Sequence, residues 1–209
     1  MSSEEVRTAA AAALRDLNHA FALQDADDQL LSDLAVDARD RVAALDATPR
    51  RDRLALMRAS LGHEGFPHGG PGSGFNDRAV AGTANPTSVD IDVAFEAVDV
   101  VARVVLRRAF EGAPGRAHGG IVAAVFDDVT GFVIGQLREP AFTGELTVRY
   151  EQPVPIETAL EMRARLVDRE RRKLFITAEC RDGETVVATC KAIYITVDPS
   201  RFAGFPDPR

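Results

Sequence analysis

The 209-residue sequence has few of the residues that bind metals or form disulfides. Its two cysteines, Cys180 and Cys190, make no CxxC pair, and its four histidines show no metal-ligand spacing, so neither a metal nor another cofactor is expected. The cysteines flank residues 181–184, a predicted hairpin turn that would set Cys180 opposite Thr185. No disulfide is therefore expected, and the expected location is the reducing cytoplasm.

An excess of positive charge is also missing. The formal net charge is -7, whereas proteins that bind nucleic acid usually present clustered Lys and Arg, so no nucleic-acid partner is expected. No uninterrupted apolar run approaches the roughly 20 residues of a membrane span. The Gly-rich stretch at 69–74 lacks the Lys-Ser/Thr of a phosphate-binding loop. With 45% hydrophobic residues, the chain is expected to form one domain with an extension, or two small domains.

Three helices are expected at the start of the chain. Ser2 and Glu5 have the spacing of a capping box, and the Ala- and Leu-rich segment that follows predicts a helix to about Ala22. Spaced apolar residues between 30 and 45 predict a second helix, and residues 51–62 a third. We therefore expect an N-terminal helical extension at 1–62, followed by a Gly/Pro-rich linker at 63–77.

The apolar pattern changes after the linker. Residues 88–95 alternate apolar and polar side chains, and residues 100–110 are a second strand candidate. Residues 121–137 are apolar almost throughout and too long for a strand, which predicts a buried helix. Four further strand candidates follow, at 142–154, 160–171, 173–181 and 185–197. Short turns between them imply an antiparallel sheet that covers the helix, so the expected fold class is α+β.

Two segments resemble a known family. Residues 111–131, EGAPGRAHGGIVAAVFDDVTG, are similar to the His-Gly-Gly…Asp segment of PaaI-like acyl-CoA thioesterases. Residues 142–156, FTGELTVRYEQPVPI, resemble the strand that follows in that family, with its Tyr-x-x-Pro-x-Pro end. The resemblance implies a hotdog fold, a curved antiparallel sheet wrapped around a central helix, at 78–202. Residues 203–209 would form a C-terminal tail.

The same resemblance implies hydrolysis of acyl-CoA to free acid and CoA. It gives the contact with the substrate carbonyl to the N–H of Gly119, with His118 shaping the turn and Gly120 beside it at the substrate. It places the catalytic acid at Asp127 and uses Thr143 to orient the water or the carboxylate. A helix start collects free N–H groups and the positive end of the dipole, which favours these assignments. The alternatives are glycines that serve close packing only and an ordinary strand threonine.

The role of Asp127 stays open at this point: it would act as a general base on water or attack the thioester as a nucleophile. A carboxylate inside an apolar helix needs partners or a function. Asp128 is the rival residue. Adjacent helical residues point about 100° apart, so only one of the two can line the site fully, and Asp128 is expected to face solvent or form an interface salt bridge.

Helix geometry predicts a shared site. Gly119 and Asp127 are eight residues apart, which is about 12 Å along one helix. An oxyanion donor and a base must both reach one carbonyl, within about 3 Å or through one water. One chain cannot satisfy this, but two antiparallel copies of the helix can. We therefore expect a two-fold homodimer, as in members of the family, and a dimer of dimers is a further expectation.

Basic residues crowd two predicted strands and the turn between them, where some would suit the phosphates of CoA. They are Arg163, Arg165, Arg169, Arg171, Arg172 and Lys173. Arg172 and Lys173 match a basic pair that often precedes this strand in the family, and we expect them to bind CoA phosphates. The alternative is a solvated turn with surface ion pairs.

Two other functions compete with acyl-CoA hydrolysis. Hotdog domains fused to an N-terminal helical DNA-binding unit act as lipid-responsive repressors, which makes a non-catalytic acyl-CoA sensor one alternative. Residues 1–60 hold eleven acidic residues and eight arginines, so this extension lacks a strong basic footprint. A hotdog dehydratase is the other alternative, although its usual His/Asp arrangement differs.

Overall fold

The computed structural model describes residues 1–52 and 76–198. Helices α1 (Ser3–Leu23) and α2 (Asp28–Asp46) come first. Strands β1 (Asp90–Glu96) and β2 (Asp99–Val105), a 3-10 helix (Arg108–Phe110) and the long helix α3 (Gly119–Leu137) follow. The last elements are strands β3 (Ala141–Tyr150), β4 (Ala159–Glu170), β5 (Lys173–Asp182) and β6 (Thr185–Thr196). The third helix predicted at 51–62 lies almost entirely outside the described residues, as do most of the linker and the C-terminal tail. The domain boundaries therefore stay a prediction.

The six strands form one antiparallel sheet in the order β1-β2-β4-β5-β6-β3. Tight hairpins join β4 to β5 and β5 to β6, and each turn holds one residue with positive φ, Arg171 at 53° and Gly183 at 54°. Strand β3 precedes this meander in the chain, pairs with β6 and lies at an edge of the sheet. The predicted order of two strands, a helix and four strands is confirmed.

Helix α3 forms the centre of the core. Its buried residues include Val122, Phe126, Val129, Phe132 and Val133. They pack against inward-facing residues of the strands: Val100, Ala102, Val104, Leu160, Met162, Ala164, Leu174 and Ile176. Removal of this apolar area from water is the main force that holds the sheet around the helix. The expected α+β arrangement, a buried helix wrapped by an antiparallel sheet, is therefore present.

Helix α3 also has the length and hydropathy that a bilayer span requires. Among the described residues it is the single helix that meets both criteria, with a mean hydropathy of 1.5. Half of it is buried inside the fold, and Asp127 and Asp128 interrupt its apolar run. Its composition therefore matches that of a core helix covered by a sheet.

Two local predictions were wrong. The second strand ends at Val105 instead of continuing to Phe110, because Arg108–Phe110 turns into a 3-10 helix. Cys180 lies opposite Ala188, not Thr185. The turn is centred one residue later than expected, since Asp182 pairs with Thr185, and a register shift between Cys180 and Arg181 moves the partner one position further. Such a bulge is not readable from the alternation of apolar and polar residues.

The N-terminal helices differ in how they are held. The predicted capping box of α1 is present: the Ser2 hydroxyl accepts from the Glu5 N–H, and the Glu5 carboxylate accepts from the Ser2 N–H. Helix α1 packs on the 3-10 helix and buries Ala11 and His19. Helix α2 has no buried residue. The described part of the extension therefore contacts the sheet domain mainly through α1.

Candidate active site

The start of α3 is built around His118, the N-cap residue of the helix. Its Nδ1 accepts a hydrogen bond from the Gly120 N–H at 3.1 Å. Nδ1 can accept only when it carries no proton, so the proton of the neutral ring lies on Nε2. Gly119 is the first residue of the helix, and within the described chain no hydrogen bond occupies its N–H. One donor is thus left at the positive end of the α3 dipole.

Tyr150, at the end of β3, fixes this helix start from the side. Its hydroxyl donates to the Gly119 carbonyl oxygen at 2.6 Å. A Cβ on Gly119 would lie 3.2 Å from that hydroxyl oxygen, a closer contact than most side chains make. The absence of a side chain at Gly119 therefore lets the strand and the helix start approach each other.

Asp127 lies in the third turn of α3 and faces the edge strand. The Thr143 hydroxyl of β3 donates to Asp127 Oδ1 at 2.8 Å. Asp127 is half-buried and Thr143 is exposed, so the pair lies at the surface of a single chain. The structure brings these two predicted residues into direct contact, and within residues 1–52 and 76–198 no hydrogen bond occupies Asp127 Oδ2.

Tyr194 of β6 positions this pair from beneath. It is buried, and its hydroxyl donates to the Asp127 carbonyl oxygen at 2.9 Å and lies 2.9 Å from Thr130 Oγ1. Thr143 lies directly opposite Tyr194 in the pairing of β3 with β6. Burial raises the pKa of Tyr194 to about 12, so the phenol is protonated at neutral pH and available as a donor. Tyr194 thus adjoins both members of the Asp127–Thr143 pair.

Asp128 does not face solvent, which leaves the other expectation for it, an interface salt bridge, as a prediction. Its Oδ2 accepts from the Ala81 N–H at 2.8 Å, and its carboxylate is half-buried under the loop before β1. Burial raises the pKa of Asp128, while Arg78 and the Ala81 N–H act in the opposite direction. The Arg78 guanidinium itself lies over the Phe132 ring, 4.6 Å from its centroid. Asp128 therefore attaches this loop to α3, on a different side from Asp127.

Two residues predicted to bind the substrate, Gly120 and Arg172, already form hydrogen bonds within the chain. The Gly120 N–H is already bonded to His118, and a Cβ on Gly120 would lie 3.1 Å from the His118 ring. The Gly120 N–H is therefore not available to a substrate, and a role for Gly120 in substrate binding stays a prediction. Arg172 donates from Nε to the Thr196 carbonyl oxygen at 2.9 Å.

Arg172 and Lys173 lie at the same end of the sheet as Thr143. Thr196, which holds the Arg172 side chain, pairs with Ala141, two residues before Thr143. Both basic residues are exposed. Their predicted contact with CoA phosphates is therefore compatible with the position of the Asp127 half-site.

Arg163 and Arg165, two of the basic residues noted in the sequence, form ion pairs on another part of the sheet. Arg163 pairs with Glu96 at 3.0 Å and with Asp99 at 3.1 Å, and Arg165 pairs with Asp99 at 3.2 Å. They alternate along β4 with buried Met162, so they project from the face of the sheet opposite to α3. Acidic neighbours from β1 and β2 balance their charge there.

Sequence reasoning missed the two tyrosines, which are the only ones in the chain. Tyr150 stood in the quoted Tyr-x-x-Pro stretch, but nothing in that stretch indicated Gly119 as its partner. Tyr194 could have been suspected, because a buried strand position rarely holds a phenol without a hydrogen-bond partner. No group of three or more His, Cys, Asp or Glu in the described ranges is arranged to hold a metal ion.

Comparisons with known proteins agree with this architecture. Residues 114–189 match the family model of the thioesterase superfamily. The crystal structure of a thioesterase superfamily protein aligns over 90% of this chain and 90% of its own, with a TM-score of 0.72 and 21% identity. At that identity the likeness shows the fold, including its N-terminal part.

Two of the curated relatives that match in sequence illustrate the likeness. Acyl-coenzyme A thioesterase THEM4 of Mus musculus is 31% identical over 93 residues, 44% of this chain and 40% of that protein. Acyl-coenzyme A thioesterase THEM5 of Homo sapiens is 34% identical over 90 residues, 41% and 35% of the two chains. The chain spans about two fifths of the length of the curated relatives it matches.

The fold and the site define a hotdog domain that carries a helix-start N–H and a carboxylate–hydroxyl pair on one central helix. Over residues 114–189 the chain is similar to the thioesterase superfamily, and its hotdog fold is the one that the sequence resemblance predicts.

Substitution of the two tyrosines should separate the buried hydrogen bonds from the exposed one. We expect Tyr194→Phe to lower the free energy of unfolding by about 1–3 kcal/mol, because Thr130 and Asp127 lose a buried partner. Tyr150→Phe, at a site 47% exposed, should cost less than about 1 kcal/mol. Urea unfolding at one fixed protein concentration measures both values. Equal losses would contradict the buried network.

Proposed function

We propose that this protein hydrolyses acyl-CoA thioesters to a free acid and CoA. The observation that carries the proposal is the hydrogen bond from Thr143 to Asp127 Oδ1, which holds a half-buried carboxylate on α3 at the position that the family pattern gives to the catalytic acid. The names of the curated relatives support the same chemistry over the matched segment.

Asp127 would carry the central chemical step. As a general base, its Oδ2 takes a proton from water while the water oxygen attacks the thioester carbon; as a nucleophile, it attacks that carbon itself and water then releases the acid. In both routes the C–S bond breaks and the CoA sulfur leaves with a proton. Thr143 holds Oδ1, so the reactive oxygen keeps a fixed direction.

Gly119 would stabilise the oxyanion that forms on the carbonyl oxygen. Its N–H is the first of α3, and His118 occupies the neighbouring Gly120 N–H instead of this one. A preorganised backbone donor at a helix start is worth most where charge develops in the transition state. His118 and Tyr150 then act on the geometry of that donor rather than on the substrate.

The complete site would need two copies of the chain. Gly119 opens α3 and Asp127 follows eight residues later, about 12 Å along the same axis. The edge strand β3 supports a close second copy, because in the described sheet it pairs only with β6 and exposes Phe142 and Tyr150. We propose a homodimer in which Gly119 of one protomer faces Asp127 and Thr143 of its partner.

The CoA moiety would extend toward the β4–β5 turn. Arg172 and Lys173 are exposed at the sheet end that holds Thr143, and a guanidinium can bind a phosphate with two parallel hydrogen bonds. Higher assembly into a dimer of dimers and a cytoplasmic location also stay predictions.

The two neighbouring aspartates provide a matched test of the proposed base. We expect Asp127→Asn to lower kcat by roughly 1,000-fold, because an amide can neither accept the proton nor attack the carbonyl. Asp128→Asn should have a mild effect, since an amide oxygen can still accept from the Ala81 N–H. Release of free thiol from a panel of acyl-CoA substrates measures both. An Asp127→Asn enzyme as active as the wild type would overturn the proposed mechanism.

Two substitutions at Gly119 isolate its N–H. Proline is tolerated at the first position of a helix and lacks the N–H, and the extended conformation of His118 suits a following proline. Alanine adds a Cβ in the same place near Tyr150 but keeps the donor.

We expect Gly119→Pro to reduce kcat about 100-fold or more below that of Gly119→Ala, at similar thermal stability. The same thiol-release assay, with thermal unfolding alongside, measures the difference. If the two variants have the same kcat, the Gly119 N–H does not bind the oxyanion.

A further inference from the structure

Helix α1 presents one buried titratable side chain to the sheet domain. His19 is 5% exposed, and its Nδ1 accepts from the Ala109 N–H at 3.1 Å. The imidazole also meets the ring of Phe110 edge-on, with centroids 5.1 Å apart and an interplanar angle of 77°. Both contacts fall on the 3-10 helix, which lies between β2 and α3.

The 3-10 helix is in turn bonded to the start of α3. The Phe110 carbonyl oxygen accepts from the His118 N–H at 2.8 Å. A Cβ on Gly112 would lie 3.0 Å from the His118 Cα, so the chain closes tightly on itself between these points. Phe110 thus contacts His19 through its ring and His118 through its carbonyl oxygen. His118 is the N-cap of α3 and directly precedes Gly119.

Other contacts attach α1, but they lie nearer the surface. Arg15 donates to the Thr83 and Asn85 carbonyl oxygens, and Asp16 pairs with Arg107 at 2.7 Å. An exposed ion pair such as that of Asp16 with Arg107 contributes little to stability. Loss of the His19 acceptor would instead leave the Ala109 N–H without its partner at a part-buried contact, which is the larger penalty.

We propose that His19 is a positioning residue for the proposed active site: through Ala109 and Phe110 it holds the His118 turn, and so the direction of the Gly119 N–H. The N-terminal extension, through His19, then helps to position the Gly119 N–H of each protomer. The effect on catalysis rests on the proposed function, whereas the effect on the His118 turn does not.

The contact also has a defined pH dependence, because Nδ1 accepts only when the ring is neutral. Burial, and then the charge of Arg107, lower the pKa of His19 from its ordinary 6.5; Asp90 of β1, Glu157 before β4 and Asp16 on α1 oppose this. Docking therefore favours the neutral ring. The contact is complete above pH 6.5 and is lost as the pH falls through the lowered pKa of docked His19.

Three variants of the full-length chain separate the components of the contact. His19→Phe keeps an aromatic ring against Phe110 but removes the acceptor. His19→Asn keeps an acceptor near the position of Nδ1 but cannot be protonated in this range. Asn18→Ala changes the neighbouring exposed residue of α1 and serves as the matched control.

The first measurement is hydrogen exchange of the Ala109 and His118 amides by NMR, which needs no substrate. We expect exchange in His19→Phe to be faster by about tenfold or more at both amides, with His19→Asn and Asn18→Ala close to the wild type. Unchanged exchange at His118 in His19→Phe would overturn the coupling, whether or not the protein is a thioesterase.

The second measurement is the pH dependence of kcat and KM with an acyl-CoA substrate. We expect His19→Phe to lower kcat about tenfold with little change in KM, and His19→Asn to restore most of it, because the loss is one of donor placement. The wild type should lose kcat as His19 is protonated, and His19→Asn should lack that acid limb. Faster exchange at His118 with unchanged kcat would show that His19 is structural only and overturn the proposal. A wild type inactive on every acyl-CoA would overturn the proposed function, while the exchange data would still decide the coupling.

Discussion

Burial of α3 against the inner face of the sheet is the constraint on which the other features depend. The helix is apolar almost throughout, and the sheet can wrap it only because nearly every covered position is free of charge. Asp127 and Asp128 are the exceptions, and each has its own set of partners. Asp128 is bonded to the loop before β1, whereas Asp127 is bonded to a hydroxyl on the edge strand and keeps one oxygen available.

The strands at one edge of the sheet fix the start and the middle of this helix. Tyr150 of β3 contacts the carbonyl of Gly119, and Tyr194 of β6 contacts the carbonyl of Asp127. A straight helix keeps these points about 12 Å apart, so the same rigidity that positions each group prevents them from meeting within one chain. The proposed dimer follows from that rigidity, since β3 lies at the edge where a second copy can approach.

The sequence was sufficient for the parts of the fold that depend on periodicity. The apolar run after His118 predicted α3, and alternation predicted the strands, because burial imposes those patterns directly. It could not supply the partners of individual polar groups. The bond between Asp128 and the Ala81 N–H joins residues 47 positions apart, and the register shift at Cys180 leaves no mark in the residue pattern.

The contact of α1 with the 3-10 helix illustrates the same limit. His19 is one of four histidines, and nothing near it in the sequence indicates that Ala109, 90 positions later, donates to its ring. The spacing of Gly119 and Asp127 was informative because both lie on one helix, where rise per residue converts sequence distance into ångströms. Spacing across loops carries no such conversion.

The shared site is tested most directly by mixed dimers of Gly119→Pro and Asp127→Asn chains, formed by co-expression. Each parent should be nearly inactive. In a mixed dimer one site receives both defects and the other receives neither, so an equal random mixture should recover about a quarter of the wild-type kcat. Activity that stays at the level of the two parents, in a preparation shown to contain mixed dimers, would contradict a site composed of Gly119 from one protomer and Asp127 from its partner.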